Sequence, residues 1–279
     1  MRFDHVLVVG AGQMGAGIAQ VVAASGRRVS LHDPLPGATE RALAGIEASL
    51  ERLAAKGGEE PAPVLERITV VGELVGADLL IEAITEERSA KEELFARADA
   101  TLGPESVLAS NTSSIPISTL AAATGRPERV IGMHFFNPVP VLKLVEVVRG
   151  VETSDEVNDA IVALAESLGK VPAVARDFPG FVSNRILMPF INEAVSALHQ
   201  GVAEAEAIDT IARLGFAHPI GPLALADLIG LDTCVAIMEV LAEGLGDAKY
   251  APSPLLREHV AAGRLGRKSG RGFYDYSST

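Results

Sequence analysis

The chain has no tryptophan, a single cysteine, and few aromatics, which make up 4% of its 279 residues. A lone cysteine, Cys234, cannot form an internal disulfide, so the sequence suits a reducing compartment. Basic side chains are also in deficit. The 24 Lys and Arg face 36 Asp and Glu, a formal net charge of −12. That balance excludes nucleic acid or an anionic membrane as the main partner, although a local cluster of donors can still hold an anion. Long apolar runs are missing too. The first, His5 to Gly10, is far too short for a signal peptide or a membrane span, and no Arg/Ser-rich presequence stands before it. Internal repeats and low-complexity stretches are absent. The expectation is a soluble cytoplasmic protein, with no metal implied.

Hydrophobic residues are plentiful, at 48% with a mean hydropathy of +0.28, so a substantial core can be buried. Ala, Val, Leu and Gly dominate. Small and branched side chains of this kind fill the layers of parallel strands covered by helices. The length allows two domains.

The first half has the pattern of a dinucleotide-binding domain. Val6-Leu-Val-Val9 is a short buried strand that breaks at Gly10-Ala-Gly12-Gln13-Met14-Gly15, after which a helical pattern runs through Ile18 and Val22 to Gly26. The next strand, Arg28 to His32, ends on Asp33. A glycine motif alone is weak evidence. Here it follows a strand, opens a helix and precedes an acid at the tip of the second strand, the context a dinucleotide needs. Gly10 permits the tight turn, Gly12 lets the backbone approach a pyrophosphate, and Gly15 allows close helix–strand packing. The pyrophosphate would lie at the helix N-terminus, and Asp33 would accept hydrogen bonds from a ribose diol.

A long helical pattern then runs from Ala38 to Gly58, more than a plain crossover needs. Ser49 and Lys56, seven apart, would share one of its faces. Gly57 to Pro63 has the composition of a loop. Strands are expected at Ile68–Val71, Ala77–Ile84 and Ser106–Ser110, the last ending in the hydroxyl and amide cluster Asn111-Thr-Ser113-Ser114. Such a cluster just past a strand's C-terminal end sits where α/β sheets bind ligands, though it equally suits a capped turn. The segment Val130 to Pro140 follows, with His134 near its middle, and then the apolar run Val141 to Val148 containing Glu146. Two neighbouring strands so joined could bring Glu146 against His134, although the same pattern also suits two strands and a loop that holds a satisfied histidine. A carboxylate on one ring nitrogen fixes the tautomer and leaves the other nitrogen to take a proton, the working part of a general base.

After Arg176-Asp-Phe-Pro-Gly180 the strand pattern stops. Helical segments are expected at about 182–200, 204–214, 222–244 and 253–262, with Asn184 in the first turn or so of the first. The apolar stretch Leu223 to Leu245 exceeds what a small bundle needs, which suits an intersubunit face and equally a face packed on the first domain. Near the C-terminus, Arg264-Leu-Gly-Arg-Lys268-Ser-Gly-Arg271 is a basic cluster, either an anion site or a solvated tail.

With these blocks in hand, the chain resembles the 3-hydroxyacyl-CoA dehydrogenases over nearly its whole length, and most of all their short single-function 3-hydroxybutyryl-CoA branch. The resemblance rests on Gly10–Gly15, Ser110–Ser114, His134-Phe-Phe-Asn-Pro138, Gly180-Phe-Val-Ser-Asn-Arg185, Gly221-Pro222 with Gly230-Leu-Asp232, and Gly266 to Tyr274. It implies a Rossmann-like α/β domain over 1–179, an all-helical domain over 180–279 that shapes the substrate cleft and dimerises, and NAD as cofactor. It implies His134 as general base with Glu146 as partner, and Ser113 and Asn184 as hydrogen-bonding groups around the reacting hydroxyl and thioester. On the cofactor it implies Gly10, Gly12, Gln13, Met14, Gly15, Asp33, Glu82, Asn137 and Lys268. For coenzyme A it implies Ser49 and Lys56, with Ser113 at the acyl end. Glu87 stands where similar sequences carry Asn.

Two rival readings keep the fold. One is a dehydrogenase of free hydroxy or sugar acids, of the gulonate dehydrogenase and lambda-crystallin kind. The other is a non-catalytic NAD-binding protein, which would need the glycine loop but not the set of His134, Glu146, Ser113 and Asn184.

Overall fold

The computed structural model describes residues 1–277 and divides into two compact units, Met1–Phe178 and the segment from Pro179 onward. The first unit is built on one eight-stranded sheet. Its strands are β1 (His5–Val9), β2 (Arg28–His32), β3 (Ile68–Val70), β4 (Leu79–Glu82), β5 (Val107–Ser110), β6 (Val130–Phe135), β7 (Leu144–Arg149) and β8 (Val171–Arg176), in the spatial order 3-2-1-4-5-6-7-8. All neighbours run parallel except β6 and β7, which pair antiparallel. The order reverses between β1 and β4, the switch point where such sheets open a crevice at their carboxyl ends.

The central strands are largely apolar because helices cover both faces. Val6, Val8, Ile81, Ala109, Met133 and Val147 pack in one core with α1 (Gln13–Ala24), α2 (Ala38–Ala54) and α6 (Asp155–Ser167). Alternate residues Leu7, Leu80 and Leu108 project to the other face and are equally buried. The remaining helices of this unit are α3 (Pro61–Leu65), α4 (Arg88–Thr101) and α5 (Ile117–Ala121). Ser154 caps α6 by accepting the Val157 N–H at 3.2 Å, with Asp155 and Glu156 in the first turn.

Two expectations for this unit change. The excursion after β2 is not one helix to Gly58: α2 ends at Ala54, and α3 begins within the segment expected to be loop. Pro61 starts α3 because its fixed φ and missing N–H suit a first helical position. Lys56 therefore lies in the turn beyond α2 and does not share a helical face with Ser49.

The second unit is helical: α7 (Ser183–His199), α8 (Ala205–Gly215), α9 (Pro222–Ile229), α10 (Leu231–Leu245) and α11 (Pro254–Ala261), around a core that includes Met188, Ile191, Leu223, Leu231, Cys234, Met238 and Leu241. The long helix expected over 222–244 is two helices. Gly230 separates them at φ +104°, a conformation that side chains with a Cβ rarely adopt. The C-terminal segment is pinned onto α9. Asp227 accepts the N–H groups of Phe273 and Tyr274, each at 3.0 Å, and a Cβ on Gly272 would lie 1.9 Å from the Asp227 carboxylate. Asp209 accepts the Leu223 and Ala224 N–H groups at the start of α9 and the Tyr274 hydroxyl at 2.9 Å.

Candidate active site

The glycine turn between β1 and α1 is closed on two sides and open on the third. A Cβ on Gly10 would lie 2.3 Å from the Ala83 carbonyl oxygen, and one on Gly15 would lie 1.7 Å from that of Gly10. Backbone therefore packs on backbone at both positions. Around Gly12 no atom lies within 4 Å of the place a Cβ would occupy, so this backbone borders open space at the N-terminus of α1. First-turn N–H groups have no partner inside their own helix and attract anions. Asp33, just past β2, is held by the N–H of Ala11 at 2.7 Å and that of Leu35 at 2.9 Å, which fixes its carboxylate beside the turn. The cradle fits a dinucleotide. A fourth glycine, Gly17, brings α1 against the loop after β6: its Cβ would meet that of Val139 at 2.8 Å.

The histidine and its carboxylate come from the antiparallel strands. His134 and Glu146 are paired in register across β6 and β7, and His134 Nδ1 lies 3.2 Å from a Glu146 carboxylate oxygen. Directly opposed residues project to the same face of a sheet, which is why this register brings the two side chains together. The pair is enclosed, with 8% of His134 and 3% of Glu146 exposed. Phe136 packs on the imidazole with ring centroids 4.5 Å apart.

Ser113 lies in the loop after β5, and one carboxylate oxygen of Glu86 organises that loop. It accepts from Thr112 Oγ1 at 2.7 Å, the Ser113 N–H at 2.9 Å and Oγ at 3.2 Å, and Ser114 Oγ at 3.0 Å. Asn111 Oδ1 in turn accepts the Phe135 N–H at 2.9 Å and so ties the loop to the histidine strand. Glu86 was not singled out from sequence. Burial pushes its carboxyl up, but the Lys91 charge and these hydrogen bonds outweigh that and hold it below the usual range. Lys91 was also missed. It is 1% exposed and lies 2.5 Å from Glu82 and 3.2 Å from Glu86.

Glu82, expected as a cofactor contact, has its carboxylate turned into the protein. It is the last residue of β4 and wholly buried, its carboxylate taken up by the Lys91 ammonium, by Ser110 Oγ at 2.5 Å and by the Ile84 N–H at 2.7 Å. Burial raises its pKa, and Lys91 and the hydrogen bonds oppose the rise. Glu87 is the extended residue immediately before α4, and its carboxylate accepts from Ser89 Oγ at 2.7 Å.

A cavity of about 380 Å³ brings Gly12, Gln13, Gly17, Ser49, Arg52 and Asn137 to one wall system. Met14 is not among its lining residues and packs against the core instead. Lys56 borders a second cavity, of about 630 Å³, which shares Gln20 and Pro140 with the first. Another residue missed from sequence, Lys170, holds the loop between β6 and β7. Its buried ammonium donates to the carbonyls of Val139 and Leu142, and burial lowers its pKa.

In the helical unit Asn184 is buried in the first turn of α7, its N–H donating to the Gly180 carbonyl at 3.1 Å. Lys268 lies in a single helical turn, Arg267–Ser269, with Nζ 2.5 and 2.7 Å from the two Asp232 oxygens. Among the described residues no group of three or more His, Cys, Asp or Glu is arranged to hold a metal ion.

Residues 5–178 match the model of the 3-hydroxyacyl-CoA dehydrogenase NAD-binding domain, and residues 180–276 that of the 3-hydroxyacyl-CoA dehydrogenase C-terminal domain. A Deinococcus radiodurans protein named "Probable 3-hydroxybutyryl-CoA dehydrogenase" is 57% identical over 274 residues, covering 96% of this chain and 99% of its own. A 3-hydroxybutyryl-CoA dehydrogenase of Bradyrhizobium diazoefficiens is 50% identical over 275 residues, covering 96% and 94%. The crystal structure of an (S)-3-hydroxybutyryl-CoA dehydrogenase from Ralstonia eutropha superimposes with a TM-score of 0.95 at 49% identity, over 99% of each chain.

Proposed function

The chain belongs to the 3-hydroxyacyl-CoA dehydrogenase family, and we propose that its substrate is a short-chain (S)-3-hydroxyacyl-CoA, 3-hydroxybutyryl-CoA above all. It is an NAD-dependent oxidoreductase that interconverts a 3-hydroxyacyl-CoA and the 3-ketoacyl-CoA. The observation that carries the assignment of roles is the His134–Glu146 pair, buried and in register at 3.2 Å.

NAD⁺, when bound, would supply the acceptor for the hydride from C3 of the substrate. Gly10, Gly12, Gly15 and Asp33 would hold the dinucleotide, with Gln13 and Asn137 on the wall of the cavity that Gly12 borders. His134 does the proton work. With Nδ1–H donated to Glu146, the neutral ring presents a lone pair at Nε2, which takes the proton of the 3-hydroxyl. The imidazolium so formed is stabilised by the Glu146 carboxylate, and in the reductive direction it returns the proton to the carbonyl oxygen. Ser113 is assigned to hydrogen bonding at the acyl group, its hydroxyl fixed by Glu86. From the helical unit, Asn184 is assigned to the substrate and Lys268 to the cofactor, on the resemblance of their motifs. Ser49 and Lys56 are assigned to the coenzyme A handle.

We infer in addition a homodimer formed through the helical unit over 180–279. Support comes from large apolar side chains left on its surface, among them Leu214 at 79% and Phe216 at 62% exposure. A cytoplasmic location is proposed from the single buried cysteine. No helix among the described residues is long and apolar enough to cross a membrane.

The test is NADH consumption with acetoacetyl-CoA and with free acetoacetate, followed at 340 nm. Turnover of the thioester alone supports the proposal. Equal or better turnover of the free acid would transfer the chain to the free hydroxy-acid dehydrogenases. Turnover of neither would favour a non-catalytic NAD-binding protein.

A further inference from the structure

Glu82 is a carboxylate without exposure to water, and burying such a group is costly unless its oxygens are bonded. Its bonds do more than satisfy it. One oxygen accepts from Lys91 Nζ at 2.5 Å and from the Ile84 N–H at 2.7 Å, and the other accepts from Ser110 Oγ at 2.5 Å. Two routes then lead to the same place. Lys91 passes on to Glu86, whose other oxygen gathers the Ser113 N–H and hydroxyl together with Thr112 Oγ1. Ser110 Oγ, besides donating to Glu82, accepts the Thr112 N–H at 3.1 Å. Both routes end on the loop Asn111–Ile115, and Asn111 fastens that loop to Phe135, the neighbour of His134.

The chemistry of the position requires a carboxylate. Three donors converge on it, and a group with acceptors only can meet all three, whereas an amide would turn an N–H₂ toward one of them. A buried ion pair is weak evidence for stability, because well-packed apolar side chains often serve as well. What this pair supplies is geometry. We infer that Glu82 is a positioning residue which, through Lys91 and Ser110, sets the Ser113 loop at a fixed distance from the strand that bears His134. The inference rests on the proposed dehydrogenase reading for its kinetic consequence and on structure alone for its effect on the loop.

The experiment combines Glu82→Gln, Lys91→Met and the double variant with two readouts on the intact protein. The first is kcat with acetoacetyl-CoA and NADH, alongside the Kd for NADH. The second is hydrogen exchange at the amides of Thr112 and Ser113. Glu82→Gln should lower kcat roughly five- to fiftyfold, since small misplacements of reacting groups carry penalties of that order. Exchange at the loop should quicken, and the double variant should lose less than the product of the two single losses, exceeding Lys91→Met alone only by what the Ser110 route carries. Multiplying losses in the double variant, or unchanged kcat and exchange in Glu82→Gln, would overturn the inference. So would a weakened Kd for NADH with unchanged exchange, which would make Glu82 a cofactor contact. Should Glu82→Gln fail to fold, Ser110→Ala cuts one route only and should show the same pattern in smaller measure; unaltered exchange there also counts against it. If the wild-type protein does not turn over acetoacetyl-CoA, the dehydrogenase reading falls, while the exchange measurements still decide the role of Glu82.

Discussion

His134 and Glu146 are twelve residues apart in sequence and directly opposite one another in space, because β6 and β7 are antiparallel and the register sets this residue against that one. A shift of one residue in either strand would send one side chain to the other face. The Asn137–Leu142 loop that fixes the register is itself held from two sides, by Gly17 of α1 packing on Val139 and by the Lys170 ammonium on the carbonyls of Val139 and Leu142.

Replacing His134 by Ala should therefore lower kcat by about 10²–10⁴ while the Kd for NADH stays near that of the wild type. Glu146→Gln keeps the shape but stabilises imidazolium poorly, so turnover should also slow. Steady-state kinetics with a separate NADH titration checks both. More than a tenth of wild-type kcat in the His134 variant, measured where chemistry limits, would assign the base elsewhere.

The glycines make a contrasting pair. Gly12→Ala meets open space, so the variant should fold with a near-normal Tm, yet the new methyl would stand in the dinucleotide's path. Its Kd for NADH should rise about tenfold or more, which is about 1.4 kcal/mol. Gly15→Ala places a methyl 1.7 Å from a backbone oxygen and should lower Tm and soluble yield as well. Equal melting temperatures for the two variants would contradict this account of the turn.

Asp33 is the residue proposed to set cofactor choice. Its carboxylate is fixed by the Ala11 and Leu35 N–H groups and would repel a 2′-phosphate, and Pro34-Leu-Pro-Gly37 adds no cation. The ratio of kcat/KM for NADH and NADPH should favour NADH. A ratio of one or below would remove Asp33 from the ribose site.

Far from the site, Asp99 offers a test of electrostatics in the fold. Burial pushes its carboxyl up, but the Gly125 N–H and the Arg126 guanidinium, each bonded to it, outweigh that and hold its pKa below the ordinary value. A depressed folded-state pKa contributes stability above the unfolded value of about 3.8 and loses it as pH falls through the folded value. The Tm of Asp99→Asn should thus lie below that of the wild type at pH 7, and the gap should close as the pH is lowered through 4 toward 2. A gap independent of pH would mean that shape, not charge, is what Asn fails to reproduce.

Much of this was legible in sequence because the signals are local. The strand, glycine turn and helix of residues 6–24 declare themselves by periodicity and by where the glycines fall. The His134–Glu146 pairing follows from two apolar runs joined by a short proline-bounded loop. Other features left no local trace. The apolar pattern runs through Gly230 unbroken, so the split between α9 and α10 shows only in a backbone φ of +104°. A lysine in an amphipathic helix is read as solvated, and nothing near Lys91 in sequence announces that two carboxylates from β4 and the loop after it will bury it. Glu82 shows the converse: its place at a strand's C-terminal end is where ligands bind, while its side chain turns inward to that lysine.

Lys56 remains the sharpest test of how the substrate's handle is held. Although it lies in the turn after α2 rather than on the helix, it is exposed and borders the cavity that adjoins the one lined by Ser49. An exposed ammonium against a phosphate is worth about 0.2–1 kcal/mol, so Lys56→Ala should raise the KM for acetoacetyl-CoA about 1.5- to 5-fold with kcat unchanged. A pantetheine thioester lacking the nucleotide has no phosphate to lose and should show almost no change. Added salt screens a surface charge and should shrink the difference between variant and wild type. If both substrates suffer equally, Lys56 supports the fold of the turn instead, and the phosphate must be held by cations elsewhere, of which Arg52 on the wall of the first cavity is the nearest in sequence.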